Sequence, residues 1–356
     1  MSSTRVAARR LIRLSAAAGS AGLLLASATL SAEAAGSSYV ALGDSYSSGT
    51  GTRSYLSDGT SCQRSVYAYP SLIAGARGYS LNFRACSGAT IPDVVSSQLP
   101  ALSASTAYVT LSVGGNDAGF ASVLTTCAQP SWMSNCYGAI DRATAYINNT
   151  LPASLSSLYA GIRSRSPQAK VTIVGYPRIF NGEDCNAFTW FSPTEEARLN
   201  ATADLLNSKL ASLAAEKGFA FANPTSRFVG HAVCDNPEWI NGLSVPVSES
   251  FHPKVTGHAS GYLPAVSPFV TGSTLRLTGA IRQRAEDSAA RLASQQRAYA
   301  VRDRAITPKS FVAPDLNTPA AKAAAAHAGV DLSSRASIDA ADRRYDARQR
   351  AAQTGK

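Results

Sequence analysis

Three short runs constrain this chain most: Tyr39-Val40-Ala41-Leu42, Tyr108-Val109-Thr110-Leu111-Ser112-Val113 and Val171-Thr172-Ile173-Val174. Each is apolar or β-branched at nearly every position. A strand with one wet face would alternate, so these belong to a sheet covered on both sides. Residues 81–83 and 219–222 read as two further strands. Helical periodicity fills the gaps at 67–76, at 141–162 despite Pro152, and at 255–269. A helix over 193–217 opens on Ser192-Pro193-Thr194-Glu195-Glu196, with proline in its first turn and acids at the positive end of its dipole. Strand–helix alternation predicts an α/β fold with a parallel sheet. Right-handed crossovers then bring the carboxyl end of every strand to one edge, where ligands meet such sheets.

The charge is uneven. The chain carries a net +10, of which +3 lies in residues 1–35 and +7 in residues 276–356, leaving 36–275 neutral. A basic footprint spread over the folded part is missing, which argues against nucleic acid as a partner. The N-terminus reads as an export signal over residues 1–34. Arginines precede an apolar, alanine-rich run, and Ala32-Glu33-Ala34 offers a small-x-small cleavage site, which predicts a secreted protein. Arg9-Arg10 is also compatible with a twin-arginine route. Six cysteines, Cys62, Cys86, Cys127, Cys136, Cys185 and Cys234, all lie in the neutral part. An even count in an exported chain suggests three disulfides. Many pairings are open, and sequential pairing, which clips one local loop per bridge, is the simplest. No C-x-x-C occurs, which argues against zinc.

The loops after the first three strands carry Ser45, Gly88 and Asn116. Acyl transfer by a serine needs a hydroxyl, a base, donors for an oxyanion and a group that orients the base. Ser45 is the candidate nucleophile. The backbone N–H groups of Ser45 and Gly88 and the Asn116 amide are candidate oxyanion donors. Of four histidines, His252 stands before Pro253, which disfavours helix at the histidine and places it in a stiff loop. His258 lies inside the last helix, where packing explains it. Each residue alone is equally a turn or cap residue; their placement on one edge is what points to a site.

Gly43-Asp44-Ser45-Tyr46-Ser47-Ser48-Gly49 resembles the first block of the GDSL, or SGNH, hydrolases. Gly88 falls where that family has its second-block glycine, Gly115-Asn116-Asp117 resembles its third block, and Ser250-Phe251-His252-Pro253 its fifth. Four blocks match in order, and the likeness is nearer to secreted actinobacterial lipases and esterases. It implies a three-layer flavodoxin-like fold with a five-stranded parallel sheet, three sequential loop disulfides, no metal or cofactor, and hydrolysis of carboxylic esters through an acyl-enzyme by a monomer. Phospholipase, carbohydrate deacetylase and acyltransferase activities are alternatives on the same scaffold, and a non-catalytic surface-binding protein is a further one. The α/β-hydrolase fold is disfavoured, since no G-x-S-x-G surrounds Ser45. The family often places aspartate three residues before the histidine, where this chain has Glu249. A main-chain carbonyl of Ser250 or Glu249 is the other candidate for orienting His252, and the preferred one. Asp44 and Asp117 read as structural residues holding the loops around the nucleophile and the oxyanion site.

The resemblance covers residues 35–274. Residues 275–356 form a basic, Ala/Arg-rich extension, with 281–305 compatible with one long, weakly amphipathic helix and prolines beyond it. Its composition predicts a solvated, helical or partly disordered segment. The sharper alternative is a cationic arm that touches anionic surfaces.

Overall fold

The structure is a computed structural model that describes residues 1–2 and 36–354; the expected export signal lies outside the described residues. Five strands, β1 (Ser38–Gly43), β2 (Ser80–Phe83), β3 (Tyr108–Ser112), β4 (Lys170–Val174) and β5 (Ala220–Ala222), form one sheet in the order β2-β1-β3-β4-β5. All four pairings are parallel, with Val40 opposite both Asn82 and Val109. Val40, Leu42, Val109, Leu111, Ile173 and Val174 are buried, as both-face coverage requires. The chain steps from β1 outward to β2, returns to β3 and continues to β4 and β5. Right-handed crossovers on opposite sides of β1 put helices on both faces and open a crevice at the β1/β3 switch point.

Helices Tyr69–Arg77 and Leu263–Thr271 pack together, the latter against β4 and β5. Cys136–Asn149, Leu151–Arg165 and Pro193–Glu216 form the second group. The long helix starts with Ser192 and Glu195 each bonding the other's backbone N–H, a reciprocal cap. Residues 141–162 are not one helix. The chain breaks at Thr150 because Pro152 has no N–H and crowds the preceding turn, so it enters the start of a new helix instead. The last helix of the expected domain begins as a wider-pitched Gly257–Tyr262 turn before Leu263–Thr271.

Three disulfides, Cys62–Cys86, Cys127–Cys136 and Cys185–Cys234, pair the cysteines sequentially. The first ties the loop after β1 to the loop after β2, immediately before Gly88. Cys127–Cys136 closes a nine-residue separation between two helices.

The extension differs from the solvated segment its composition suggests. Instead of one long helix, residues 279–303 form three short ones, Gly279–Asp287, Ala289–Arg297 and Ala300–Asp303. The breaks let Ile281, Ala285, Leu292 and Ala300 all stay buried as the segment bends around the body. Asp303 reaches a buried charge cluster: its oxygens lie 2.6 Å from Arg64 Nη2 and 2.5 Å from Arg84 Nη2, and Arg64 also meets Asp58 at 2.6 Å. All four side chains are at most 2% exposed. Farther on, Pro319–Ala328 and Arg335–Thr354 cover Trp132 and Trp190, with Ala325, Ile338 and Ala341 buried against them. Among the described residues no helix is long and apolar enough to cross a membrane.

Candidate active site

The turn that presents Ser45 follows directly from β1. Gly43 has φ +127°, and a Cβ there would lie 2.4 Å from the Ser112 carbonyl oxygen of β3. Only glycine lets the two strand ends approach this closely. Its peptide is held by Gln98, which accepts from Gly43 N at 2.7 Å and donates to Gly43 O at 2.9 Å. Asp44 then caps the short Ser45–Ser48 helix, accepting from Tyr46 N at 3.0 Å, from Ser112 Oγ at 2.8 Å and from Tyr176 Oη at 2.5 Å. Burial pushes the Asp44 carboxyl up to about 6, although these three donors favour its charged form. Its side chain is fully committed to holding the turn.

His252 Nε2 lies 2.8 Å from Ser45 Oγ. On the other side of the ring, Nδ1 is 2.9 Å from the carbonyl oxygen of Ser250. With a carbonyl as its partner there, Nδ1 is the donor, and Nε2 is left with its lone pair toward the serine hydroxyl. Glu249 turns away. Its carboxylate accepts from Tyr55 Oη at 2.6 Å and sits 3.4 Å from Arg53 Nε. Phe251, between them, has φ +61°. This left-handed conformation costs a non-glycine residue roughly 1–2 kcal/mol. Its carbonyl accepts from Tyr46 Oη at 2.7 Å, so the residue after Ser45 fixes the loop that carries His252. The imidazole packs beside Tyr46 and Phe120, with ring centroids 5.2 and 6.5 Å away.

Gly88 (φ +80°) and Asn116 line the same cleft as Ser45 and His252. Asn116 Nδ2 donates to Ala89 O at 3.0 Å, which orients the amide and spends one of its two N–H groups. Asp117 accepts from Ile91 N at 3.0 Å and so ties the third loop to the second. His258 is fully buried beside the stacked pair Tyr69 and Tyr262 and is not among the residues that line the cleft.

Two compartments meet at Ser45. One is a narrow channel of about 80 Å³ with apolar walls that include Phe120, Leu124, Ile147, Ile179, Phe180 and Leu206. The other is a more polar cleft of about 310 Å³, whose outer wall is Pro308, Lys309, Ser310 and Phe311 of the extension. Sequence reasoning misses both walls. The channel is assembled from helices far apart in the chain, and Phe311 is a lone aromatic in a polar, proline-rich segment.

Residues 41–259 match the model of the GDSL-like Lipase/Acylhydrolase family. The chain belongs to this family. Lipase 1 of Streptomyces coelicolor is 42% identical over 254 residues, which span 70% of this chain and 93% of that protein. The crystal structure of an extracellular lipase from Streptomyces rimosus superposes with a TM-score of 0.62 at 43% identity, covering 66% of this chain and 100% of that one. Phospholipase A1 from Streptomyces albidoflavus NA297 gives a TM-score of 0.63 at 39% identity, with the same coverage. As a GDSL-family acylhydrolase this chain is an ester hydrolase of the serine type. Roughly a third of it has no counterpart in those two solved chains.

Proposed function

We propose that this protein is a secreted, monomeric lipase or esterase in which Ser45 and His252 carry out acyl transfer. The observation that carries the reading is the 2.8 Å contact from His252 Nε2 to Ser45 Oγ, with Nδ1 held 2.9 Å from the Ser250 carbonyl. His252 takes the hydroxyl proton as Oγ bonds to the ester carbonyl carbon, and the carbonyl π pair moves onto oxygen. The N–H groups of Ser45 and Gly88 and the free N–H of Asn116 receive that oxyanion. Collapse breaks the bond to the alcohol oxygen, which leaves with the proton from His252. Water, deprotonated by the same nitrogen, then attacks the acyl-enzyme and frees the acid and Ser45. The Ser250 carbonyl sets ring direction and tautomer without accepting the proton in full.

The apolar channel is the natural place for the acyl chain, and the lipase and phospholipase activities named for the relatives point to lipid esters. Aryl esters of increasing chain length, triolein, phosphatidylcholine and acetylated xylan, each assayed beside the Ser45→Ala protein, test this. Turnover rising from acetyl to medium-chain esters is expected; preference for acetylated xylan would point to a deacetylase. Secretion is supported by the Arg-led apolar N-terminus, the three disulfides and the extracellular relative. The +7 charge of residues 276–356 supports peripheral contact with anionic surfaces.

Two predictions belong to the mechanism. Asn116→Ala lowers kcat by roughly 10²–10³-fold with KM little changed, because the lost donor acts on charge that develops in the transition state. Parallel kcat and KM measurements on one aryl ester check it. The second concerns pH. Burial lowers the His252 imidazole to about 4 from an ordinary 6.5. The neutral, proton-accepting form therefore persists well below neutrality, and the acid limb of kcat/KM falls near pH 4 rather than 6.5. Between those values the unfolded chain binds more protons at this site than the folded one, so the group's contribution to stability rises with pH across that window. A pH–rate profile with its acid limb at the ordinary histidine value would contradict this environment for His252.

A further inference from the structure

The extension crosses the mouth of the site as a strap anchored on both sides. Before the cleft, Asp303 is locked into the buried arginine cluster and Ile306 is buried against the Cys62–Cys86 disulfide. Pro308 then lies directly on the oxyanion-loop glycine: a Cβ on Gly88 would fall 2.4 Å from Pro308 Cα. Phe311 packs edge-on against Phe251, the neighbour of His252, with centroids 5.0 Å apart. After the cleft, Val312 N donates to Thr125 Oγ1 at 2.9 Å, and the last helices bond the far rim. There Asp342 accepts from Ser131 N at 2.7 Å and Asp346 from Tyr137 Oη at 2.8 Å. The strap roofs the cleft without filling it, since about 310 Å³ stays open beneath.

The cleft differs in chemistry from the apolar channel. Its walls include Ser61, Gln63, Ser87, Ser248 and Ser310, and no Asp or Glu among the described residues lines it. Among the described residues the one Lys or Arg that lines it, Lys309, comes from the strap, and no ion pair there involves it. An ester with its acyl chain in the channel must place its alcohol moiety in this cleft.

We propose that the strap over residues 307–314 is the leaving-group wall of the active site, and that Lys309 selects esters whose alcohol moiety carries a negative charge. The inference rests on the Ser45–His252 reading above. It assigns part of the specificity to a segment lying beyond the family match at residues 41–259. A solvent-exposed lysine on the wall of a cleft that no Asp or Glu among the described residues lines attracts an anion and gains nothing from a neutral polyol. The cleft is open to water, so the effect is modest and screened by salt.

The test compares 1-hexanoylglycerol 3-phosphate with 1-hexanoylglycerol, both monomeric in solution and sharing one acyl chain, so surface adsorption plays no part. The hexanoyl ester of glycerate separates phosphate recognition from recognition of any anion. In Lys309→Ala the ratio of kcat/KM for anionic over neutral ester falls about two- to fivefold, the range of a solvent-accessible charge pair. Lys309→Glu lowers it further, Lys309→Arg restores it, and raising the salt concentration reduces the difference between wild type and Lys309→Ala. A ratio independent of residue 309 would overturn the inference while leaving the Ser45 reading intact. Hydrolysis of all these esters surviving Ser45→Ala would instead remove the reading on which it rests.

Discussion

Replacing Ser45 by alanine lowers kcat/KM for ester hydrolysis by about 10⁴–10⁶-fold and leaves the fold in place. The size of the loss follows from the way nucleophile and base act as a unit, so that removing either costs nearly as much as removing both. His252→Ala therefore gives a loss of the same order, and the double variant is little worse. The fold survives because the serine hydroxyl contributes to the chemistry more than to the packing. Its hydrogen bond is to His252, and the elements that shape the turn lie elsewhere, in Gly43, Asp44 and Gln98. Loss of this one hydrogen bond costs the fold about 1 kcal/mol. Circular dichroism and thermal melting beside the assay separate lost chemistry from lost structure.

Asp303→Ala has the largest expected effect on stability, about 3–5 kcal/mol. The buried cluster holds two arginines and two aspartates and is neutral as a whole. Asp303 is the ion-pair partner of Arg84 and shares Arg64 with Asp58. Deleting it leaves an uncompensated positive charge where neither guanidinium reaches water. Gln296, which accepts from Arg84 Nη1 at 2.7 Å, and Tyr299, whose ring lies 3.9 Å below the same guanidinium, cannot neutralise it. Asp204→Ala is the control. Its ion pair with Arg178 is 55% and 37% exposed on the two sides, and its loss costs about 0–1 kcal/mol. Urea denaturation of the three proteins measures both values. A truncation at residue 274 would strand the same arginines, so loss of activity in a truncated chain would report on stability as much as on the strap.

The parts of this molecule that were legible in the sequence are those with local signatures. Strands buried on both faces write themselves as unbroken apolar runs, and from them follow the parallel sheet and the edge on which Ser45, Gly88, Asn116 and His252 meet. The proline and the two glutamates in the first turn of the long helix and the clustering of cysteines inside the neutral segment are equally local. What stayed hidden depends on distant partners. Asp303 sits among Arg302, Arg304 and Arg297 and reads as a solvated charge, because nothing in its neighbourhood announces Arg64 and Arg84 more than 200 positions earlier. Tyr46 looks like another turn residue until its hydroxyl is found on the Phe251 carbonyl. Glu249 stands where a triad acid would be expected in sequence, and the third residue before the histidine is nevertheless committed to Tyr55 and Arg53. The extension misleads for a physical reason: docking a sparse apolar face needs few hydrophobic residues when buried ion pairs and a handful of anchors share the work.

In the proposed mechanism the acyl group passes through Ser45 Oγ under the control of His252. A fluorophosphonate that mimics the tetrahedral intermediate tests it most directly, with the adduct located by peptide mass spectrometry. One adduct per chain on the peptide containing Ser45, formed in step with loss of esterase activity, absent in Ser45→Ala and much slower in His252→Ala, is the predicted result. Labelling at another residue, or hydrolysis that continues after Ser45 is fully modified, would contradict the account.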